Sequence, residues 1–184
     1  NPTARARFAR EGQVTAGLKH SGIVGIHGAG TAGDQCYLVY ELVEGANLEE
    51  QLPQLNREDR LNVVLQVARA LGFAHDRGVV HRDVKMANIL IGDDCRVLLA
   101  DFGLAQAAGL ERLTQTGAIL GTPRTMAPEQ ILGREGSYGP ETDVWALGVL
   151  LYQVLTDLVP FPGTTMVALI AQVVGGLARG FERG

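Results

Sequence analysis

The chain has 184 residues, 46% hydrophobic, 20% charged and 5% aromatic, with a formal net charge of −4. That length suits one domain or a large part of one, and the apolar share suits a packed core, which excludes a long disordered chain. The balance of 16 Lys and Arg against 20 Asp and Glu argues against a sequence-independent grip on nucleic acid, and the 24 glycines show no three-residue period of the collagen kind.

Phe8, Glu11, Val14 and Leu18 recur at helical spacing within Arg5 to Lys19, which predicts a helix that Gly12 and Gly17 weaken by about 1 kcal/mol each relative to Ala. Two apolar stretches, Gly22 to His27 and Cys36 to Leu42, flank the turn-rich run from Gly28 to Asp34 and predict a β-hairpin. After Glu44-Gly45 the pattern turns helical. Asn56 with Asp59 three residues on marks a helix start, Leu61, Val64, Leu65, Ala68 and Leu71 form the expected buried stripe, and Gly78 stops the helix.

Three short β-rich pieces come next, Val79 to His81, Ile89 to Ile91 and Val97 to Leu99, the last two joined by a hairpin over Gly92 to Arg96. Ala100 to Glu129 has no clear period and reads as a loop. Thr142 to Thr156 predicts a helix buried on several sides, and a final helix starts near Thr164 or Thr165 and runs to Val174. The uncharged run Leu158 to Ala178 carries two prolines and several polar and glycine residues, so it reads as a loop and a short helix rather than a membrane span. Cys36 and Cys95 are too few for a disulfide scaffold and read as reduced, buried thiols.

The loop His81-Arg82-Asp83-Val84-Lys85-Met86-Ala87-Asn88 puts a carboxylate, an ammonium and a carboxamide within six residues, just before a predicted strand. Asp83 can take a proton from a hydroxyl, Lys85 can neutralise a developing phosphate charge, and Asn88 offers an oxygen to a hard cation. Asp101, at the end of the strand Val97 to Leu99, is a natural Mg²⁺ ligand. Each residue alone is better read as part of a polar surface turn; the combination is not.

The spaced set His81-Arg82-Asp83, Asn88, Asp101-Phe102-Gly103 and Ala127-Pro128-Glu129 resembles the eukaryotic-type (Hanks-type) protein kinase family in order and in gaps. Asp143 to Val149 and the linker-like Tyr37 to Gly45 match as well, so the resemblance covers nearly the whole chain. Antibiotic phosphotransferases share the Asp and Asn of this loop but lack the Asp-Phe-Gly and Ala-Pro-Glu pair. The resemblance implies an α+β, two-lobed kinase fold with an incomplete small β-rich lobe over residues 1–43 and a mostly helical large lobe over 44–184. It also implies a serine/threonine kinase that transfers the ATP γ-phosphate to proteins with Mg²⁺.

By the same resemblance Asp83 is the base or positioner for the substrate hydroxyl, and Lys85 marks the serine/threonine branch. Asn88 and Asp101 hold Mg²⁺, and Glu11 pairs with an ATP-anchoring lysine. Backbone groups of Glu41 and Val43 take the adenine, with Tyr40 at the gatekeeper position and Leu90 beneath the base. Arg82 marks the subclass regulated by phosphorylation, with Thr114 or Thr116 as acceptors or else a plain polar loop, and Thr122 facing the catalytic loop. Asp143 braces that loop.

The Gly-rich loop and the lysine strand of the family would precede Asn1, and neither Lys19 nor Lys85, the only lysines, can replace that lysine. The chain therefore reads as a piece truncated at both ends, nearly inactive by itself, from a bacterial and cytoplasmic catalytic domain. The Arg that pairs with Glu129 in the family would lie beyond the last residue. Thr15 and Thr125 depart from the family's apolar and aromatic preferences. The alternative is a pseudokinase, a regulatory scaffold without phosphotransfer.

Overall fold

The structure is a computed structural model and describes residues 15–33, 35–102, 123–133, 138–176 and 178. The predicted helix at Arg5 to Lys19 falls largely outside them; Thr15 and Ala16 are helical and the chain turns at Gly17. Ile23 then bridges Leu99 in parallel, with Val24 N–H donating to the Leu99 carbonyl at 3.0 Å and Leu99 N–H to that of Gly22 at 2.9 Å.

Strands β1 (Ile26–Ala32) and β2 (Gln35–Tyr40) pair antiparallel from Ile26↔Tyr40 to Ala32↔Gln35. The hairpin is as predicted, but its connection is shorter. Gly28 to Thr31 belong to the ladder, because Tyr37 lies across Gly30 and covers the strand where glycine offers no side chain.

Beyond the linker, Gly45–Asn47 is strand β3 rather than the start of helix. It pairs with β4 (Ile89–Gly92), which pairs with β5 (Val97–Leu99), all antiparallel, giving the order β3-β4-β5. The partner of β3 is more than 40 residues away, so no local pattern announces it. The β4–β5 hairpin matches the sequence reading. Asn47 then caps the short α1 (Leu48–Gln51), its side chain accepting from Glu50 N–H at 3.1 Å.

Helix α2 (Arg57–His75) starts where expected, with Asn56 Oδ1 accepting from Asp59 N–H at 3.0 Å. Its buried face is shifted from the predicted one. Leu61 and Leu65 are 42% and 48% exposed, whereas Val63, Val64, Val67, Ala70, Leu71 and Ala74 are buried. These side chains pack in one core with Ala146, Leu150 and Val154 of α4 (Pro140–Thr156), while Leu61 and Leu65 fill the wetter flank. Gly78, at φ 72°, ends the helical run as predicted.

Residues 79–81 are not a strand. The Val79 amide donates back to the Ala74 carbonyl, and the amides of His81 and Arg82 donate to the Asp143 carboxylate instead of to a neighbouring strand. One turn of 3-10 helix, Met86–Asn88, leads into β4. Other such turns are Leu52–Gln54, after α1, and Pro123–Thr125, before α3 (Pro128–Ile131). Helix α4 ends at Asp157 in the left-handed region, where Arg60 bonds both the Val154 carbonyl (3.0 Å) and Asp157 Oδ1 (2.8 Å). Helix α5 (Met166–Val174) begins at Thr165, whose hydroxyl accepts from Ala168 N–H, as the sequence suggests.

Leu169 and Val173 of α5 cover Val149 and Phe161 in a second, smaller core beside Trp145. No helix among the described residues is long and apolar enough to cross a membrane. Both cysteines are free, as expected, but neither is buried: Cys36 is half-buried in β2, and Cys95 is exposed in the β4–β5 turn at φ 64°.

Candidate active site

The loop at 79–88 joins α2 to β4, and long-range side chains hold its backbone. Asp143, near the start of α4 and 0% exposed, accepts from His81 N–H through Oδ2 (2.8 Å) and from Arg82 N–H through Oδ1 (2.7 Å). His75 Nε2 also reaches Oδ2 at 2.7 Å. A buried carboxylate is costly unless several donors surround it, and these three meet that requirement.

His81 carries the second layer. Its Nε2 donates to the Ala100 carbonyl at 2.8 Å while Nδ1 accepts from Asp83 N–H at 3.2 Å, a pattern that fixes the neutral ring in one tautomer. Burial pushes its pKa below the ordinary histidine value despite the nearby Asp143, Asp83 and Asp101. The ring also packs on Phe102, centroids 4.5 Å apart.

Asp83, Lys85 and Asn88 converge. Lys85 Nζ meets Asp83 Oδ2 at 2.6 Å, and Asn88 Nδ2 donates to the same oxygen at 3.1 Å and to the Asp83 carbonyl at 2.8 Å. Neither side-chain bond uses Asp83 Oδ1. Because both amide hydrogens of Asn88 have acceptors, its Oδ1 is assigned as the free oxygen, which suits a hard cation.

The backbone brings Asp101 next in the chain to a residue bonded to Asn88. Ala100 N–H donates to the Asn88 carbonyl at 2.8 Å, and Asp101 follows in the left-handed region at φ 61°. Its carboxylate is exposed. The Tyr40 hydroxyl is buried and faces it; burial first, then the Asp101 charge, push the Tyr40 pKa up, so the phenol is neutral.

Glu41 N–H donates to the Gly25 carbonyl at 2.8 Å. Among the described residues no backbone hydrogen bond engages the Glu41 carbonyl or either backbone group of Val43. Leu90 lies in β4, half-buried and paired with Leu98 and Asn47. Arg82, directly before Asp83, has φ 70°. Glu11, Thr114, Thr116 and Thr122 lie outside the described residues. Thr15 and Thr125 are buried, and Glu129 Oε1 accepts from the Thr142 hydroxyl at 2.7 Å.

Two residues of this framework were missed in the sequence. His75 carries no local signal, since its partner is 68 positions away. Gln130 accepts from Ala127 N–H through Oε1 and donates to the Arg82 carbonyl through Nε2, both at 2.9 Å. Its place three residues after Ala127 has the spacing of a capping box, the one clue available.

A loop of this build, a carboxylate at the end of β5 and a helical lobe beneath them define the protein kinase domain, and the chain belongs to that family: its model, the protein kinase domain, matches residues 1–178. The chain is similar to the serine/threonine-protein kinases PknJ (40% identical over 179 residues) and PknL (41% over 169 residues) of Mycobacterium tuberculosis. It aligns over 94% and 90% of its own length with them but spans 30% and 42% of theirs. The solved kinase domain of PknI from Mycobacterium tuberculosis superposes with a TM-score of 0.68 at 30% identity, covering 87% of this chain and 60% of that one. The two-lobed fold read from the motifs is therefore the fold observed.

Proposed function

We propose that the full-length protein is a serine/threonine kinase that transfers the γ-phosphate of ATP to hydroxyls of protein substrates. The observation that carries this reading is the meeting of Lys85 Nζ and Asn88 Nδ2 on one oxygen of Asp83, with Oδ1 taking part in neither bond. That arrangement suits a carboxylate that receives a substrate hydroxyl, with an ammonium beside it to neutralise phosphate charge. Phosphoryl transfer needs positioning and electrostatics more than covalent help, and both are built here from few side chains.

Asn88 Oδ1 and the Asp101 carboxylate would hold magnesium, which when bound supplies neutralisation of the phosphate oxygens. The Glu41 carbonyl and the Val43 backbone groups would take the adenine edge, with Leu90 beneath the ring. Glu11 would pair with an anchoring lysine. Arg82 would meet phosphorylated Thr114 or Thr116, and Thr122 would face the catalytic loop. Residues 1–43 and 44–184 would serve as small and large lobe. A supply of ATP and two unpaired thiols favour a cytoplasmic catalytic domain.

The test is phosphate transfer by the full-length protein from γ-labelled ATP, with magnesium, to itself and to a generic protein substrate. Label is expected on serine and threonine, with Asp83→Asn lowering the rate by about 10²- to 10⁴-fold. A wild-type protein that binds ATP and transfers nothing would point to a regulatory scaffold instead.

A further inference from the structure

The peptide that joins Arg82 to Asp83 decides where the Asp83 carboxylate stands. It follows a residue at φ 70°, a conformation a side chain adopts only when its surroundings hold it there. Asp143 fixes the amides on the near side of Arg82. The critical peptide itself is held at both of its polar atoms. Its N–H donates to His81 Nδ1 at 3.2 Å, and its carbonyl accepts from Gln130 Nε2 at 2.9 Å.

Gln130 reaches this carbonyl from α3, 48 positions further along the chain. Its Oε1 is fixed by Ala127 N–H, so the carboxamide is not free to turn and its donor is aimed at the Arg82 oxygen. Rotation of the peptide, the natural escape from a left-handed residue, would break this bond together with the one to His81.

We infer that Gln130 is a positioning residue for Asp83: its Nε2 donor holds the Arg82–Asp83 peptide and thereby aims the carboxylate, tying the segment at 123–133 to the reacting group. The inference rests on the reading of Asp83 as the group that receives the substrate hydroxyl. Gln130 itself touches no reactant.

A single substitution separates this role from simple capping of α3. Gln130→Glu keeps the acceptor for Ala127 N–H but sets an oxygen against the Arg82 carbonyl, whereas Gln130→Met loses both bonds at similar volume. In the full-length protein, kcat is expected to fall about fivefold or more in both variants, the factor of one net hydrogen bond, with KM for ATP within about twofold. Amide hydrogen exchange over residues 81–85 is expected to quicken by a similar factor in Gln130→Glu while α3 keeps its wild-type rate. A wild-type kcat in Gln130→Glu, or unchanged exchange over residues 81–85, would reduce Gln130 to a helix cap and overturn the inference. If the wild-type protein transfers no phosphate at all, the kinase reading fails, and the exchange measurement still decides what Gln130 does.

Discussion

The β1–β2 hairpin and the loop at 79–88 are held by opposite means. The hairpin satisfies its polar backbone with its own ladder, from Ile26↔Tyr40 to Ala32↔Gln35, and leaves Tyr37 and Val39 exposed. The loop makes no ladder. Its amides and carbonyls go to Asp143, Gln130, Asn88 and the His81 ring, three of them anchored outside the loop or at its far end. Buried backbone groups must be paired either way. The difference lies in how many pairings depend on one side chain, and that should set the size of mutational damage in each region.

The largest effect is therefore expected at Asp143. Asp143→Ala leaves the His81 and Arg82 amides and His75 without their buried acceptor, and should cost about 4 kcal/mol, or roughly 10 °C in melting temperature. Chemical or thermal denaturation of the full-length protein measures it. A cost under about 1 kcal/mol would mean that water replaces the carboxylate and that the loop is no more fragile than the hairpin.

Next comes the sheet beneath the loop. Gly45 has φ 147°, and a Cβ there would run into the Ile91 carbonyl of the neighbouring strand. Gly45→Ala combines backbone strain with a contact that only strand movement relieves, and should cost about 2–3 kcal/mol. The same denaturation curves test it, and a neutral result would show that β3 shifts freely against β4.

The contrast also explains what could be read from the letters. The caps at Asn56 and Thr165, the β4–β5 hairpin and the triad of Asp83, Lys85 and Asn88 depend on residues within a few positions of each other, and all were legible. Strand β3, the exposed flank at Leu61 and Leu65, and the amides of His81 and Arg82 held by Asp143 depend on partners 40 or more positions away. Periodicity picks an apolar face for α2, but only α4 decides which of two overlapping faces it meets. The family motifs were legible because their spacing lies in the sequence itself; His75 and Gln130 were not, because their partners lie far along the chain.

A smaller effect should follow from pH. His81 is neutral in the folded protein, with its pKa held below the ordinary value by burial. Well above pH 6.5, by about pH 7.5, both folded and unfolded chains hold it neutral, so it adds almost no pH dependence there. As pH falls below 6.5 the unfolded chain takes up a proton that the folded one resists, and stability drops by at most about 1.4 kcal/mol by pH 5.5. Denaturation midpoints at pH 7.5 and 5.5 for the wild type and for His81→Gln give the share due to this ring. An equal pH slope in the two would place the titration elsewhere and leave the loop less sensitive than its geometry demands.

The smallest effect is expected in the hairpin, at Gly30. A Cβ added there meets the outer end of the Tyr37 side chain, which is 48% exposed and can swing into solvent. Alanine in a strand gains up to about 0.5–1 kcal/mol over glycine from reduced backbone freedom, and the lost cover from Tyr37 offsets part of it. Gly30→Ala should therefore change stability by less than about 0.5 kcal/mol, the ordinary range of an exposed site. A loss above 1 kcal/mol would mean that the hairpin, too, hangs on one side chain lying across its strands. The division between a backbone-held and a side-chain-held region would then collapse at its stronger end.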